Sequence, residues 1–257
     1  MCLILFAYDT IPEYRLILAA NRDEFYSRKT ASMHYWNDRP AILAGRDIEA
    51  GGTWFGIHES GTFAALTNYR DPASMKTGAP SRGHIIPGIL DSEKPVKESL
   101  EELKSDCSGF NGFNLLAWDR ENLYWFSSVT RDLRTIEPGI HGLSNHLLNT
   151  EWPKVQKGRS ELGRAIGQDG RIRRERIFDI LKDTTRFGDE HLPDTGVGPE
   201  CERILSPIFI TSDTYGTRSS TLLMVDNTGR MDVTERSYET DNTNPFTENR
   251  FQVSPSF

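Results

Sequence analysis

The chain has 257 residues, with 30 Lys and Arg against 37 Asp and Glu, a net charge of −7 with histidine neutral. That balance argues against a nucleic-acid binder, which needs a basic face to displace counterions. An apolar share of 37% with five Trp and thirteen Phe suffices for a sizeable core, and no run approaches the ~18 apolar residues of a membrane helix.

In chain order, CLILFAY (Cys2 to Tyr8) predicts a strand buried on both faces, and YRLILAAN (Tyr14 to Asn21) a second strand joined to it by a hairpin. AILAG near Ala41, TWFGIH (Thr53 to His58) and TFAALTN (Thr62 to Asn68) predict three more, the last two linked by a tight turn at Glu59, Ser60 and Gly61. Ser81 and Ser92 are candidate N-caps for RGHIIPGIL and EKPVKESLEELK. A hairpin follows at FNLLAWD and NLYWFSS (Phe113 to Ser128), then a strand at IHGLSN (Ile140 to Asn145). Trp152 to Ile166 and Arg173 to Asp183 predict helices, with the basic GRIRRERIF (Gly170 to Phe178) read as a solvated helix face. A loop is expected from Thr184 to Glu200, and strands at Ile208 to Ser212, Ser219 to Asp226 and Met231 to Tyr238. The polar segment after Thr240 is expected to fray.

Strands, helices, strands, helices, strands is not the steady alternation of a doubly wound sheet. The order predicts an α+β fold of antiparallel sheets with helices grouped on their outer faces. No repeat or linker divides the chain, so residues 1–240 are expected to form one domain, with 241–257 as a polar tail.

Three cysteines, Cys2, Cys107 and Cys201, and six histidines give neither a disulfide framework nor a metal-ligand spacing. No cofactor is expected. A reducing compartment follows, and LILFAY lacks the basic start of a signal peptide, so a cytoplasmic location is expected. The oligomeric state is left open.

The candidate chemistry begins at Cys2. Met1 is removable when the second residue is small. Cys2 would then carry a thiol and a free α-amine, titrating near 8.5 and near 8, which makes nucleophile and base one residue. The bland reading is a small hydrophobe opening a strand. In the expected hairpin, residue 2 lies roughly opposite residues 20 to 22, so Asn21, Arg22 and Asp23 would surround Cys2, with Glu24 next in line. A carboxylate holds or orients an amine, and a guanidinium favours the thiolate. Acyl transfer also needs oxyanion donors, and Asn68 and Asn145 each end an apolar strand. Arg218 is a candidate for an anionic substrate group or for a surface pair.

MCLI, ANRDEF, GGTWFGI (Gly51 to Ile57), ALTNYR, SRG (Ser81 to Gly83), FNLL, LSNHLLNTEWPKV (Leu143 to Val155) and RSSTLL together resemble the NRDE, or TANGO2-like (transport and Golgi organisation 2), family. The resemblance implies the four-layer αββα sandwich of N-terminal nucleophile hydrolases and a link to haem trafficking and acyl-lipid metabolism. More distantly, the chain resembles the conjugated bile acid hydrolases and penicillin V acylases, which begin Met-Cys and carry Arg-Asn-x-Asp after the second strand. That likeness implies Cys2 as nucleophile, Asp23 at its amine, Asn68 and Asn145 on the oxyanion side, and Arg218 as the late arginine. Aligned on Asn21 and Asp23, the motif's arginine falls on Ala20, and Arg22 takes the variable position, read as having the opposite side-chain parity.

Two functions follow. One is a cysteine amidohydrolase or thioesterase for a small amide, thioester or acyl-lipid. The other is a carrier or chaperone for haem or an acyl-lipid metabolite, with Cys2, His34 or His84 as a candidate axial ligand for haem.

Overall fold

A computed structural model of the chain describes residues 3–167, 172–239 and 246–255. The chain divides into two compact units, one of Met1–Ser27, Pro138–Ser144 and Leu148–Gln252, the other of Arg28–Glu137, Asn145–Leu147 and Val253–Phe257.

The first unit is built on a six-stranded sheet of β1 (Leu3–Ile11), β2 (Tyr14–Phe25), β10 (Gly139–Leu143), β11 (Tyr215–Asp226), β12 (Met231–Ser237) and β13 (Thr247–Val253), in the order β10-β1-β2-β11-β12-β13. β1 pairs antiparallel with β2 from Leu3↔Asn21 to Tyr8↔Leu16 without a break. Alternation then sends Leu3, Leu5, Ala7, Ile17 and Ala19 to one face. There they meet Val155, Leu162 and Ile166 of α3 (Pro153–Gly167) and Ile177, Phe178 and Leu181 of α4 (Arg174–Leu181). Ile4, Phe6, Leu16 and Leu18, on the other face, are buried too, so β1 reads as a continuous apolar run.

The second unit holds a seven-stranded antiparallel sheet in simple chain order: β3 (Thr30–Trp36), β4 (Arg39–Asp47), β5 (Phe55–His58), β6 (Phe63–Asn68), β7 (Phe113–Trp118), β8 (Leu123–Ser127) and β9 (Asp132–Thr135). Ala64, Leu66, Phe113, Leu115, Tyr124 and Phe126 pack under α1 (Ile85–Leu90) and α2 (Val96–Asp106). The β5–β6 turn is the expected one: Gly61 takes φ 85°, where an L side chain is strained, and its N–H bonds His58 O at 2.9 Å.

The α+β expectation therefore holds, with differences in detail. Ile208 to Ser212 is not a strand; it contributes one isolated bridge, Thr211↔Gly216. Its backbone groups bond irregular partners instead: Phe209 N donates to Asp183 O at 2.8 Å and Ile210 N to Thr217 Oγ1 at 2.9 Å. The expected loop ends in a short helix, α5 (Pro199–Leu205), entered through Gly198 at φ 87° with Pro199 in the first turn. β3 and β9 are half-polar and alternate imperfectly. The segment read as fraying after Thr240 carries β13, held through Arg236, whose guanidinium lies over Phe178 and Phe246 and bonds Glu248 and Glu175.

Candidate functional site

In the first unit the candidate residues lie at the end of β2. Cys2 lies outside the described residues; Leu3, which follows it, pairs with Asn21. Alternation puts Asn21 and Asp23 on one face, and Arg22 and Glu24 on the other. Asn21 is fully buried and its amide is engaged inside the chain. Nδ2 donates to Leu181 O at 2.8 Å and to Ile208 O at 2.9 Å, while Oδ1 accepts from Ser220 Oγ at 2.6 Å. It closes the C-terminal end of α4, where helix carbonyls lack helical partners, and ties down the irregular segment at Ile208. The structure thus makes Asn21 a supporting residue.

Arg22 and Asp23 are 4% and 2% exposed. Asp23 Oδ1 accepts from Thr217 Oγ1 at 2.6 Å, which fixes the carboxylate, and Tyr215 Oη donates to Asp23 O at 3.2 Å. Arg22 approaches Glu24 at 3.8 Å on their shared face. Ala20, Asn21 and Arg22 pair in unbroken register with Thr221, Ser220 and Ser219. Ala20 and Arg22 are therefore two residues apart on a regular strand and share a face. This corrects the parity argument: an arginine at position 22 keeps the side of the sheet that one at position 20 would have, one step nearer the strand end.

The irregularity lies on the partner strand. The β2–β11 register shifts between Thr217 and Ser219, and Arg218 is the extra residue. Its Nη1 donates to Phe25 O at 3.0 Å and Tyr26 O at 3.2 Å, so Arg218 pins the chain where it leaves β2. His34, a candidate axial ligand for haem, has Nδ1 2.8 Å from Ser32 O. Among the described residues no group of three His, Cys, Asp or Glu is placed to hold a metal.

In the second unit several sequence motifs converge on the end of β6. Thr53 N donates to Gly83 O at 3.0 Å, and a Cβ on Gly52 would lie 2.4 Å from Gly83 C. GGTW and SRG thus meet backbone to backbone, an approach only glycine permits. Arg82 Nη1 and Tyr69 N both donate to Gly112 O at 2.9 Å, which brings SRG and TNYR to the residue before FNLL.

Asn68 and Asn145 come together here. Asn145 Nδ2 donates to Asn68 O at 3.0 Å, Arg70 N donates to Asn145 O at 2.7 Å, and Arg70 Nη2 reaches Asn145 Oδ1 at 3.4 Å. The Tyr69 and His146 rings lie 5.0 Å apart. Burial pushes the His146 pKa below 6.5, which favours the neutral imidazole at neutral pH. Asn68 shares strand parity with Ala64 and Leu66, whereas Thr67 takes the other face.

Two neighbours were missed from sequence. Thr217, which fixes Asp23, sits in an ordinary polar stretch that carries no signal. Asn114, whose Nδ2 donates to His146 O at 2.9 Å, was detectable as the polar residue inside the apolar run FNLLAW.

Comparisons with known proteins bear on the family and on the fold. A family model described as Transport and Golgi organisation 2 matches residues 1–240. The Transport and Golgi organization 2 homolog of Mus musculus is 33% identical, covering 99% of each chain. The Homo sapiens protein is 34% identical, covering 92% of this chain and 93% of its own. Among solved structures, an arginine-to-leucine variant of the conjugated bile acid hydrolase from Clostridium perfringens superposes with a TM-score of 0.55 at 11% identity, covering 100% of this chain and 94% of that one. The Caenorhabditis elegans N-acylethanolamine-hydrolyzing acid amidase ortholog gives 0.51 at 10% identity, covering 86% and 92%. These likenesses show the fold: that of the N-terminal nucleophile hydrolases. By the family match and by its curated relatives, the chain belongs to the Transport and Golgi organisation 2 (TANGO2) family.

Proposed function

We propose that Cys2, exposed as the first residue by removal of Met1, is the nucleophile of an amidohydrolase or thioesterase acting in the cytoplasm on a small amide, thioester or acyl-lipid. The observation that carries this reading is the end of β2. There the nearly inaccessible Arg22 and Asp23 directly follow Asn21, the strand partner of Leu3.

In the proposed reaction the Cys2 thiol passes its proton to its own α-amine, and the thiolate adds to the substrate carbonyl. The oxyanion needs hydrogen-bond donors, a role that the resemblance gives to the side-chain N–H groups of Asn68 and Asn145. The ammonium returns the proton as the amine or thiol leaves, and water then releases the acid from the acyl-cysteine. Asp23, oriented by Thr217, holds the amine; Arg22 favours the thiolate; Glu24 pairs with Arg22; Asn21 and Arg218 support the strand end. The fold neighbours, an acid amidase acting on N-acylethanolamines and a conjugated bile acid hydrolase, favour an amide-class substrate.

A second reading, a carrier for haem or an acyl-lipid metabolite on the same fold, draws on one observation. Two groups assigned to substrate already serve the chain itself: Asn145 donates to Asn68 O and Arg218 to the carbonyls of Phe25 and Tyr26.

Incubation with p-nitrophenyl acetate separates the two. The enzyme reading expects acetylation mapped by peptide mass to Cys2 and absent in Cys2→Ala. Labelling that persists in Cys2→Ala, at the exposed Cys201, contradicts it. No labelling, together with haem or acyl-CoA binding unchanged by Cys2→Ala, supports the carrier.

A further inference from the structure

Ser219 and Ser220 are neighbours on β11 with opposite fates. Ser220 Oγ donates to Asn21 Oδ1 at 2.6 Å and accepts from Tyr238 Oη at 3.0 Å, so it belongs to the scaffold. Ser219 is 5% exposed, and its Oγ is buried with no hydrogen-bond partner among the described residues. A hydroxyl buried in this way destabilises the fold, so alanine would suit β11 better. Stability does not account for this serine.

Its place in the sheet does. An unbroken ladder continued from Thr217↔Asp23 would set residue 218 opposite Arg22. The bulge at Arg218 sets Ser219 there instead, and re-aiming a side chain is a common use of a bulge. On its other side Ser219 pairs with Ser237 of β12. Cross-strand partners share a face, so Arg22, Ser219 and Ser237 form one row, on the face away from Asn21. Thr221, also buried, lies two residues along on that face. A guanidinium only donates, whereas a hydroxyl both donates and accepts. The row therefore suits a ligand with an acceptor oxygen at Arg22 and a hydroxyl about 4.8 Å further on, the spacing of neighbouring strands. We infer that Ser219 is a substrate-binding residue, and that the substrate's acyl group carries a hydroxyl a few carbons from the reacting carbonyl. The inference rests on the proposed function only in placing the substrate beside Arg22.

The test uses the full chain and two acids of nearly the same shape, 3-hydroxypropanoate and butanoate. Each stands for the acid that hydrolysis would release. Binding is followed by NMR through the backbone amide signals of residues 219 and 237. Wild type is expected to bind the hydroxy acid about 5-fold more tightly, the worth of one hydrogen bond. In Ser219→Ala that ratio is expected to fall to about 1. The thermal midpoint of Ser219→Ala should hold or rise, whereas that of Ser220→Ala should fall. A preference that persists in Ser219→Ala overturns the inference. So does a wild type that binds both acids equally or binds neither, and so does a lowered thermal midpoint in Ser219→Ala, which would make the hydroxyl structural. Failure of p-nitrophenyl acetate to label Cys2 would tell against the nucleophile alone, because the acid titration needs no reaction at Cys2.

Discussion

Replacing Asn21 by alanine is expected to cost about 4 kcal/mol and to lower the thermal midpoint by about 10 °C. The side chain makes three buried hydrogen bonds, at 2.8, 2.9 and 2.6 Å, to Leu181 O, Ile208 O and Ser220 Oγ. Alanine strands two carbonyls and a hydroxyl, each costing about 1–3 kcal/mol when buried without a partner. The loss should spread, because Tyr238 Oη donates in turn to Ser220 Oγ at 3.0 Å, so β12 is tied to the same bracket. Asn21→Asp should be worse near neutral pH, where a carboxylate faces two carbonyl oxygens, and should recover partly on acidification. Calorimetry of the three proteins across pH checks both statements. A loss below about 1 kcal/mol in Asn21→Ala would mean that Asn21 is not the bracket described.

The second large effect belongs to Arg236, which holds β13. Its guanidinium lies 3.9 Å from the Phe178 ring centroid and 4.4 Å from that of Phe246, and bonds Glu248 at 2.7 Å and Glu175 at 2.6 Å. Arg236→Ala removes the charge and the stacked stem together, so a loss of about 3–4 kcal/mol is expected. Arg236→Met keeps most of the volume. Glu248 is also held by Arg250 Nε at 2.7 Å, and the expected loss is about 1–2 kcal/mol. The pH dependence follows from Glu248. Burial alone would raise its pKa, but the hydrogen bonds and charges of Arg236 and Arg250 outweigh it and leave the pKa below 4.5. A carboxyl whose pKa is depressed by folding contributes stability above its unfolded pKa and loses it as the pH falls through the folded one. The gap between wild type and Arg236→Met should therefore narrow below about pH 4.5. A gap that stays constant from pH 7 to pH 3 would show that the carboxylates contribute nothing.

The parts legible in the sequence are those where local pattern and tertiary packing agree. Cys2 to Tyr8 and Tyr14 to Asn21 are apolar runs around a turn, and the register that follows, Leu3 against Asn21, is what the hairpin reading required. Ile208 to Ser212 misled because β-branched and aromatic residues suit a strand wherever one can pair. Here the paired role of Ile208 O goes to a side chain, Asn21. β13 was hidden by its polarity: it lies beside β12 at the edge of the sheet, and its Glu248 is held by Arg236.

At the site, residue type was legible and residue partner was not. Asn21, Arg22 and Asp23 read alike as polar residues at a strand end. Only the structure separates a saturated bracket from a buried cation and a carboxylate fixed by Thr217. Asn145 was singled out for its side-chain donors, yet one of them meets Asn68 O across 77 residues of chain, a pairing no local pattern encodes. The glycines of GGTW and SRG carry the same lesson: their reason is each other.

The proposed nucleophile depends on a free α-amine beside the Cys2 thiol. The most direct measurement is the intact mass of the untagged chain purified from its own cells. A mass lower by one methionine, with Cys2 as the first residue on N-terminal sequencing, is the predicted result. A chain that retains Met1 has its cysteine amine locked in a peptide bond, which contradicts the self-activated nucleophile.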